Sequence, residues 1–359
     1  MSFQKKTRSK ILQIPGTKPS ILNNTLLISS GVPSLDSLIG GGLPVGSVLL
    51  IEEDEFASYS QLLLKYFIAE GVICGHHVHI SSADKTPEQI LQELPDPIVN
   101  DPGTSKKPTG SDDMTIAWRY RNLPEVQSVP SGSTIGHYYD ISRTMDSSFI
   151  TAGKTSFCDI SQCDASSKSP FMNPHYSKLL ESIHTCIKDH SFGVTTTQTE
   201  RNILRIGLHS LGSPQWNEEG WLNEPNDPSL FRFLYCLRSL LRNSFAACLL
   251  TIPTHLYEDS GFVGRIRNLC DSVIQLKAFE GSDKEKNPAF KEYRGLVNCV
   301  KLPHLNSLMP LVPDTMDLAF KLRRKKFTIE KLHLPPELSE TASRSQEDPV
   351  LTRKSKLDF

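Results

Sequence analysis

A glycine-rich run near the amino terminus constrains the fold of this chain more than any other feature. Residues 31–51 read Gly-Val-Pro-Ser-Leu-Asp-Ser-Leu-Ile-Gly-Gly-Gly-Leu-Pro-Val-Gly-Ser-Val-Leu-Leu-Ile. Leu35 and Leu38 are spaced to bury one side of a short helix, and the three consecutive glycines permit a tight turn. Residues 48–51 form a continuous apolar stretch, which predicts a strand that is buried on both faces of a sheet.

The residues that follow this strand indicate whether the glycine-rich run leads into a nucleotide-binding site. The spacing of its glycines and leucines resembles the approach to the phosphate-binding loop of RecA- and RadA-like ATPases, which reads Gly-x-x-x-x-Gly-Lys-[Ser/Thr] and opens a helix. Here Glu53 and Ser58 replace the glycines. Tyr59 replaces the lysine, and only Ser60 keeps its hydroxyl. An unrelated glycine-rich turn before a buried strand is the alternative interpretation.

Four consecutive acids, at residues 52–55, stand where a triphosphate would lie. A carboxylate ~6 Å from a phosphate charge is repelled by roughly 0.7–3 kcal/mol, depending on the local dielectric. Several such repulsions outweigh the attraction that a helix amino terminus offers an anion. The sequence therefore predicts a RecA-like fold with a degenerate nucleotide site and no cofactor.

A second position of the ATPase pattern also departs from it. RecA-type enzymes place an acid after an apolar strand to hold the water shell of Mg²⁺, but here residues 203–208 are followed by His209. Imidazole suits Mg²⁺ poorly because that ion prefers oxygen ligands. The other interpretation of His209 is a strand-end imidazole that bonds a neighbouring backbone group. Hydrolase motifs and Cys-x-x-Cys pairs are missing from the sequence, so we assign no catalytic residue and no metal ligand.

The pattern along the chain predicts an α/β domain with irregular ends. Strands and helices alternate up to about residue 279, and strands near 296–302 and 327–332 follow. This order is typical of a mostly parallel sheet with helices on both faces and antiparallel closing strands. We assign a flexible basic arm to residues 1–24, a RecA-like domain to 25–337 and a flexible tail to 338–359. Polar insertions are expected near 98–113 and 143–174.

Charge limits what the chain attracts. The 39 basic and 40 acidic residues give a net charge of −1, so the chain has no global field that draws nucleic acid or a membrane. Arg265 and Arg267 follow the strand at 247–252, in a region that resembles the RecA loop facing nucleic acid at the centre of a ring. They are the candidate nucleic-acid contacts, or else two surface arginines on a short helix. The basic run at 321–326 reads as a solvated strand edge or turn, and nucleic-acid contact is its other interpretation.

Many separate stretches of this chain resemble one protein family, that of the fourth subunit of the Elongator complex. The resemblance covers roughly residues 10–340 and the extreme carboxyl terminus. It rests on residues 45–54, 63–71, 90–95, 116–120, 136–140, 201–207, 211–216, 253–256, 318–322, 327–336 and 357–359.

The resemblance implies a RecA-like subunit of a hetero-oligomeric ring. Its partners would be Elongator's fifth and sixth subunits, the Elongator catalytic core that carboxymethylates wobble uridines, and transfer RNA, with no membrane partner. It also implies a cytoplasmic and nuclear location. Because of Glu53, Tyr59 and His209, we expect a non-catalytic accessory subunit. Two alternatives stay open, an active RecA-type ATPase with a non-standard site and a RecA-like accessory protein of DNA repair.

Overall fold

A computed structural model describes residues 14–20, 23–98, 135–160, 172–196, 200–216, 227–309, 311–312, 315–323 and 326–333. The predicted tail at 338–359, most of the predicted arm and residues 99–113 of the first insertion lie outside these ranges. None of the helices in the described part is long and apolar enough to cross a bilayer.

The described residues form strands and helices that alternate along the chain, as listed here in chain order. The strands are β1 (Thr17–Ser20), β2 (Thr25–Ile28), β3 (Leu43–Pro44), β4 (Val48–Glu52), β5 (His77–Ser82), β6 (Pro95–Pro97), β7 (Tyr139–Thr144), β8 (Lys154–Asp159), β9 (Leu204–His209), β10 (Ala246–Ile252), β11 (Ser272–Ala278), β12 (Gly295–Lys301), β13 (Leu318–Arg323) and β14 (Lys326–Lys331). The helices are α1 (Pro33–Leu38), α2 (Ser58–Ile73), α3 (Pro87–Gln92), α4 (Ser147–Ala152), α5 (Pro174–Asp189), α6 (Ser229–Arg242), α7 (Ser260–Leu269) and α8 (Asp283–Lys286).

One nine-stranded sheet organises the chain, in the order β14-β13-β12-β11-β4-β10-β9-β5-β8. The strands from β11 to β8 in this order run parallel, whereas β12, β13 and β14 pair antiparallel. Smaller sheets join β1 to β2 and β3, and β6 to β7. This topology confirms the predicted RecA-like α/β class. It also places the carboxyl ends of β4, β10 and β9 side by side.

Strand β4 lies in the middle of the sheet with both faces covered. Leu49 and Ile51 pack into the core beneath α2, and Val48 and Leu50 pack into the core beneath α5 and α6. This alternation follows from the two-residue period of a strand, which sends successive side chains to opposite faces. The continuous apolar stretch that the sequence shows is therefore a strand enclosed by two helical layers.

A buried arginine ties three parts of the fold together. Arg205 on β9 is fully buried, and its Nε donates a hydrogen bond to Nδ1 of His76 at 3.0 Å. Its Nη1 donates to the carbonyl oxygens of Ser29 at 2.8 Å and Phe67 at 3.1 Å. Burial opposes the ionisation of nearby Glu70, but hydrogen bonds from His137 and the charge of Arg205 lower the pKa of Glu70 to about 2. Burial lowers the pKa of Arg205, but a guanidinium keeps its proton in proteins, so both groups are charged.

The structure differs from the sequence-based expectations in three places. The stretch expected to be a polar insertion near 143–174 contains α4 and the edge strand β8, which pairs with β5 alone. An additional strand, β13, lies between the two closing strands that the sequence predicts, and residues 17–20 of the expected arm pair with β2. An edge strand is held largely by backbone hydrogen bonds, so it requires little of the apolar patterning that identifies a central strand.

Candidate functional site

The carboxyl end of β4 carries three consecutive acids that are all buried. Glu52, Glu53 and Asp54 have exposed fractions of 0%, 6% and 1%. An isolated charge in such a position is strongly unfavourable, so each carboxylate requires a partner or a proton. The turn at residues 55–57 then leads into α2, as a phosphate-binding loop would. The three acids are stabilised in three different ways.

Glu52 is held by an arginine from α7. Arg267 donates to both of its carboxylate oxygens, from Nε at 2.5 Å and from Nη2 at 2.9 Å, and Gln275 donates through Nε2 at 3.0 Å. The hydrogen bond to Glu52 raises the pKa of Arg267. Asn298 in turn donates to Oε1 of Gln275 at 3.0 Å. Arg267, a predicted nucleic-acid contact, is therefore the partner of a buried carboxylate.

Glu53 bonds hydroxyl groups from the two neighbouring strands. Its Oε1 accepts a hydrogen bond from Thr251 at 2.6 Å, and its Oε2 accepts a longer one from Ser210 at 3.4 Å. Burial raises the pKa of Glu53 to about 7. No motif in the sequence marks these two hydroxyls. The signal that points to them is their place at the carboxyl ends of β10 and β9, which a RecA-like strand order sets next to β4.

Asp54 binds the amino terminus of α2. Its Oδ2 accepts from the amide of Ser58 at 3.0 Å and from that of Tyr59 at 3.4 Å, and its Oδ1 accepts from the amide of Ser60 at 3.0 Å. Ala57 makes the turn with a left-handed φ of 53°. The free amides and dipole of a helix amino terminus attract anions, and phosphate-binding loops use them for phosphate. In this chain a carboxylate of the protein takes that position.

The remaining degenerate positions are engaged within the fold. The ring of Tyr59 packs against Phe320 on β13, with 4.6 Å between the ring centroids. The hydroxyl of Ser58 donates to the carbonyl of Phe56 at 3.4 Å. The hydroxyl of Ser60, which alone matches the phosphate-loop pattern, is buried and has no hydrogen-bond partner. None of these three side chains supplies the positive charge that a triphosphate requires.

His209 ends β9 as the sequence indicates, and it is buried. Its Nδ1 lies 3.1 Å from Oγ of Ser82 and 3.8 Å from Oδ2 of Asp84. Burial lowers the pKa of His209 to about 4, so the imidazole is neutral at pH 7. Its Nδ1 partner is the side chain of Ser82, not the backbone group that the sequence suggested.

A cavity of about 700 Å³ opens beside this loop, between the carboxyl ends of β4, β10 and β11 and helix α7. Its lining includes three cations, Arg267, Lys277 and Lys284. The acids in the lining outnumber these cations, and they are Glu53, Glu55, Glu258, Glu280 and Asp283. Arg265 lies in a different environment, with its guanidinium 5.9 Å from the ring centroid of Phe231. The acidic lining opposes the binding of a polyanion in this cavity.

The replacement Glu53→Gln should stabilise the fold at alkaline pH. Because the pKa of Glu53 is raised from 4.5 to about 7, the free energy of unfolding that it contributes falls as pH rises from about 4.5 to 7. Glutamine keeps an acceptor for Thr251 and carries no charge to bury. We expect a gain of about 3 kcal/mol at pH 8 and a smaller gain at pH 5.5, measured by urea unfolding.

Glu280→Gln is the control for this measurement, because Glu280 is exposed and should show no comparable gain. Equal stability of wild type and Glu53→Gln at pH 8 would show that the carboxylate is ionised there without cost.

Comparison with known proteins gives this chain its family. The profile of the PAXNEB protein family matches residues 10–359. Elongator complex protein 4 of Danio rerio is 50% identical over 357 residues, which cover 96% of this chain and 90% of the relative. The human protein of the same name is 44% identical over 359 residues, which cover 94% of this chain and 83% of the human protein.

A solved structure also resembles this one. It is a KaiC-like protein of Pyrococcus horikoshii, which is 15% identical in sequence and superposes with a TM-score of 0.47. The alignment covers 85% of this chain and 99% of the KaiC-like chain. The family assignment rests on the sequence relatives, and it confirms the resemblance seen in the separate stretches of sequence. The chain belongs to the PAXNEB family, whose curated relatives carry the name Elongator complex protein 4.

Proposed function

We propose that this chain is a non-catalytic RecA-like subunit of the Elongator complex. It would form a ring with the fifth and sixth subunits, dock on the catalytic core and support wobble-uridine modification of transfer RNA in the cytoplasm and nucleus. Its family relatives support membership in the complex. The observation that carries the non-catalytic part is the position of Asp54, whose carboxylate bonds the amides that a phosphate would use.

Nucleotide binding is opposed by negative charge, and also by the Asp54 carboxylate that already binds the amides at the start of α2. A triphosphate placed on α2 would displace the Asp54 carboxylate and then lie near it, in a region where acids outnumber cations. Arg267 is paired with Glu52, and Tyr59 supplies no charge. A buried like charge at ~4 Å costs about 4 kcal/mol at an effective dielectric of 20. This supports a role in assembly over a role in hydrolysis.

A cluster of exposed apolar side chains supports assembly with other subunits. Between β12 and β13 lies an apolar segment, defined here as Leu308, Met309, Leu311, Val312 and Met316. Leu308 is fully exposed, and Met309 and Val312 are 78% and 76% exposed. Exposed apolar clusters of this kind are typical of contact surfaces. We propose that this apolar segment contacts a related subunit in the ring.

Arg265 is the better of the two candidate RNA contacts. Arg267 is committed to Glu52, whereas no ion pair to Arg265 is found among the described residues. Since the net charge of the chain is −1, attraction to transfer RNA has to come from local cations in a channel shared with the partners. Such contacts reach phosphates and carry little sequence information.

The wild-type chain should bind Mg·ATP more weakly than a Kd of about 1 mM in calorimetry. The variant Asp54→Asn should lose about 1 kcal/mol of stability, because the helix amino terminus loses its anion, and should gain no affinity for ATP. Glu55→Gln, at an exposed neighbouring position, is the matched control. A micromolar Kd that depends on magnesium would instead favour the active ATPase.

Assembly should depend on the apolar segment. Replacing Leu308 and Met309 together by serine should weaken ring formation with the two related subunits at least about tenfold, because two large apolar side chains lose their buried contact. Tyr235→Ser is the control, since Tyr235 is 68% exposed but lies on α6. The affinity is measured by co-purification at graded dilution. Unchanged assembly of the double variant would show that the apolar segment is not part of the subunit interface. A wild-type chain that binds neither related subunit would contradict the proposed ring.

Arg265→Ala should weaken binding of the assembled ring to many transfer RNAs alike. The slope of log affinity against log salt should become shallower by about one, for one lost phosphate contact. Lys188→Ala is the control, because Lys188 is exposed in the last turn of α5. Arg267 is unsuited to this test, since its removal leaves Glu52 buried and unpaired. An unchanged slope would remove Arg265 from the site, and tighter binding of single-stranded DNA would favour the DNA-repair alternative.

A further inference from the structure

A cluster of nitrogen and sulfur side chains lies at the opposite end of the sheet from the phosphate-loop region. His77 begins β5, while Cys186 stands in the last turn of α5 and His190 follows the end of that helix. One ring nitrogen of each histidine and Sγ of Cys186 all lie within 4.8 Å of one another. Residues four apart on a helix share a face, so α5 presents Cys186 and His190 together to His77.

The spacing of this cluster suits a tetrahedral metal ion. Sγ of Cys186 lies 3.7 Å from Nε2 of His77. Bond lengths of about 2.3 Å from zinc to sulfur and about 2.05 Å to nitrogen place those two atoms about 3.6 Å apart at a tetrahedral angle. The observed separation therefore requires little movement of either side chain to accept Zn²⁺.

The hydrogen bonds around the cluster leave the required lone pairs available. Nδ1 of His190 lies 3.2 Å from the carbonyl oxygen of Cys186, which fixes the proton on Nδ1 and leaves Nε2 as a ligand. A bond of this kind from the second ring nitrogen is usual for metal-binding histidines. Burial and the nearby His190 lower the pKa of His77 to about 4, so its ring is neutral at pH 7. Zinc on Nε2 of His77 places the ring proton on Nδ1, which is buried and has no hydrogen-bond partner among the described residues.

The surroundings offer a fourth position and a route to it. Oγ of Ser156 lies 3.3 Å from Nε2 of His77 and 3.6 Å from Sγ of Cys186. A cavity of about 400 Å³ borders Cys186 and His190, and its lining includes two acids, Glu181 and Asp189, and one lysine, Lys178. These carboxylates favour the approach of a cation, and the cavity leaves space for a water molecule.

We propose that His77, Cys186 and His190 form a zinc site, with Ser156 or water in the fourth position. Cys186 binds as the thiolate, so zinc binding releases the thiol proton to solvent. The ion joins the end of α5 to the start of β5 beside the edge strand β8. Its role is structural, and it is independent of the phosphate-loop region and of the proposed role in Elongator.

The test is a titration of the untagged full-length chain with Zn²⁺, followed by calorimetry and by native mass spectrometry. We expect one zinc ion per chain and a higher thermal unfolding midpoint with zinc than with a chelator. His190→Gln and Cys186→Ser should each weaken zinc binding at least about tenfold, by analogy with the loss caused by disturbing a metal's supporting residues. Both variants should also lose the zinc-dependent rise in the unfolding midpoint.

The controls separate ligand loss from general damage. His184→Gln changes an exposed histidine of the same helix, and Cys236→Ser changes a cysteine on α6; both should bind zinc as the wild type does. His190 is exposed, so its replacement should leave the metal-free fold intact even if Cys186→Ser destabilises it. Lack of stoichiometric binding at micromolar zinc, or wild-type affinity in His190→Gln, would overturn the proposal.

Discussion

Three adjacent carboxylates buried at the end of the central strand are the constraint on which this region of the structure depends. Burial would expel an uncompensated charge, so the fold around residues 52–54 is arranged to neutralise each one. An arginine from α7 reaches across to the first acid, hydroxyls of two neighbouring strands meet the second, and the start of α2 receives the third. The positions of α7, β9, β10 and α2 around β4 are linked through these contacts.

The same arrangement determines how the turn after the central strand is held. In an ATPase the ligand's phosphates satisfy the amides at the start of the helix after the central strand. Here the Asp54 carboxylate accepts hydrogen bonds from these amides, and the ring of Tyr59 packs against Phe320 on β13. The turn is therefore held by contacts internal to the chain, and its geometry does not depend on a bound nucleotide. Such a scaffold is consistent with the accessory role proposed above.

The sequence predicted the central part of the fold and less of its edges and contacts. Strand β4 and helices α5 and α6 carry strong periodic patterns, because burial on a defined face dictates their residues. Strand β8 carries no such pattern, because it is held at the edge of the sheet mainly by backbone hydrogen bonds and not by the burial of apolar side chains. The sequence shows that the acids at residues 52–55 repel phosphate. It does not show that Asp54 caps α2, because that contact depends on the left-handed backbone conformation of Ala57. His77 and Cys186 are 109 residues apart, and only the tertiary fold brings them together.

The hydrogen bonds of Arg205 bear on the order in which the molecule is built. They reach back 129 residues to His76, 138 to Phe67 and 176 to Ser29. Contacts of such sequence separation require large loops to close before they contribute, which slows folding. During synthesis the carbonyl groups of residues 29 and 67 cannot receive this partner until β9 has left the ribosome. The amino-terminal half is thus completed only by a strand from the second half, and the two halves are expected to fold as one cooperative unit.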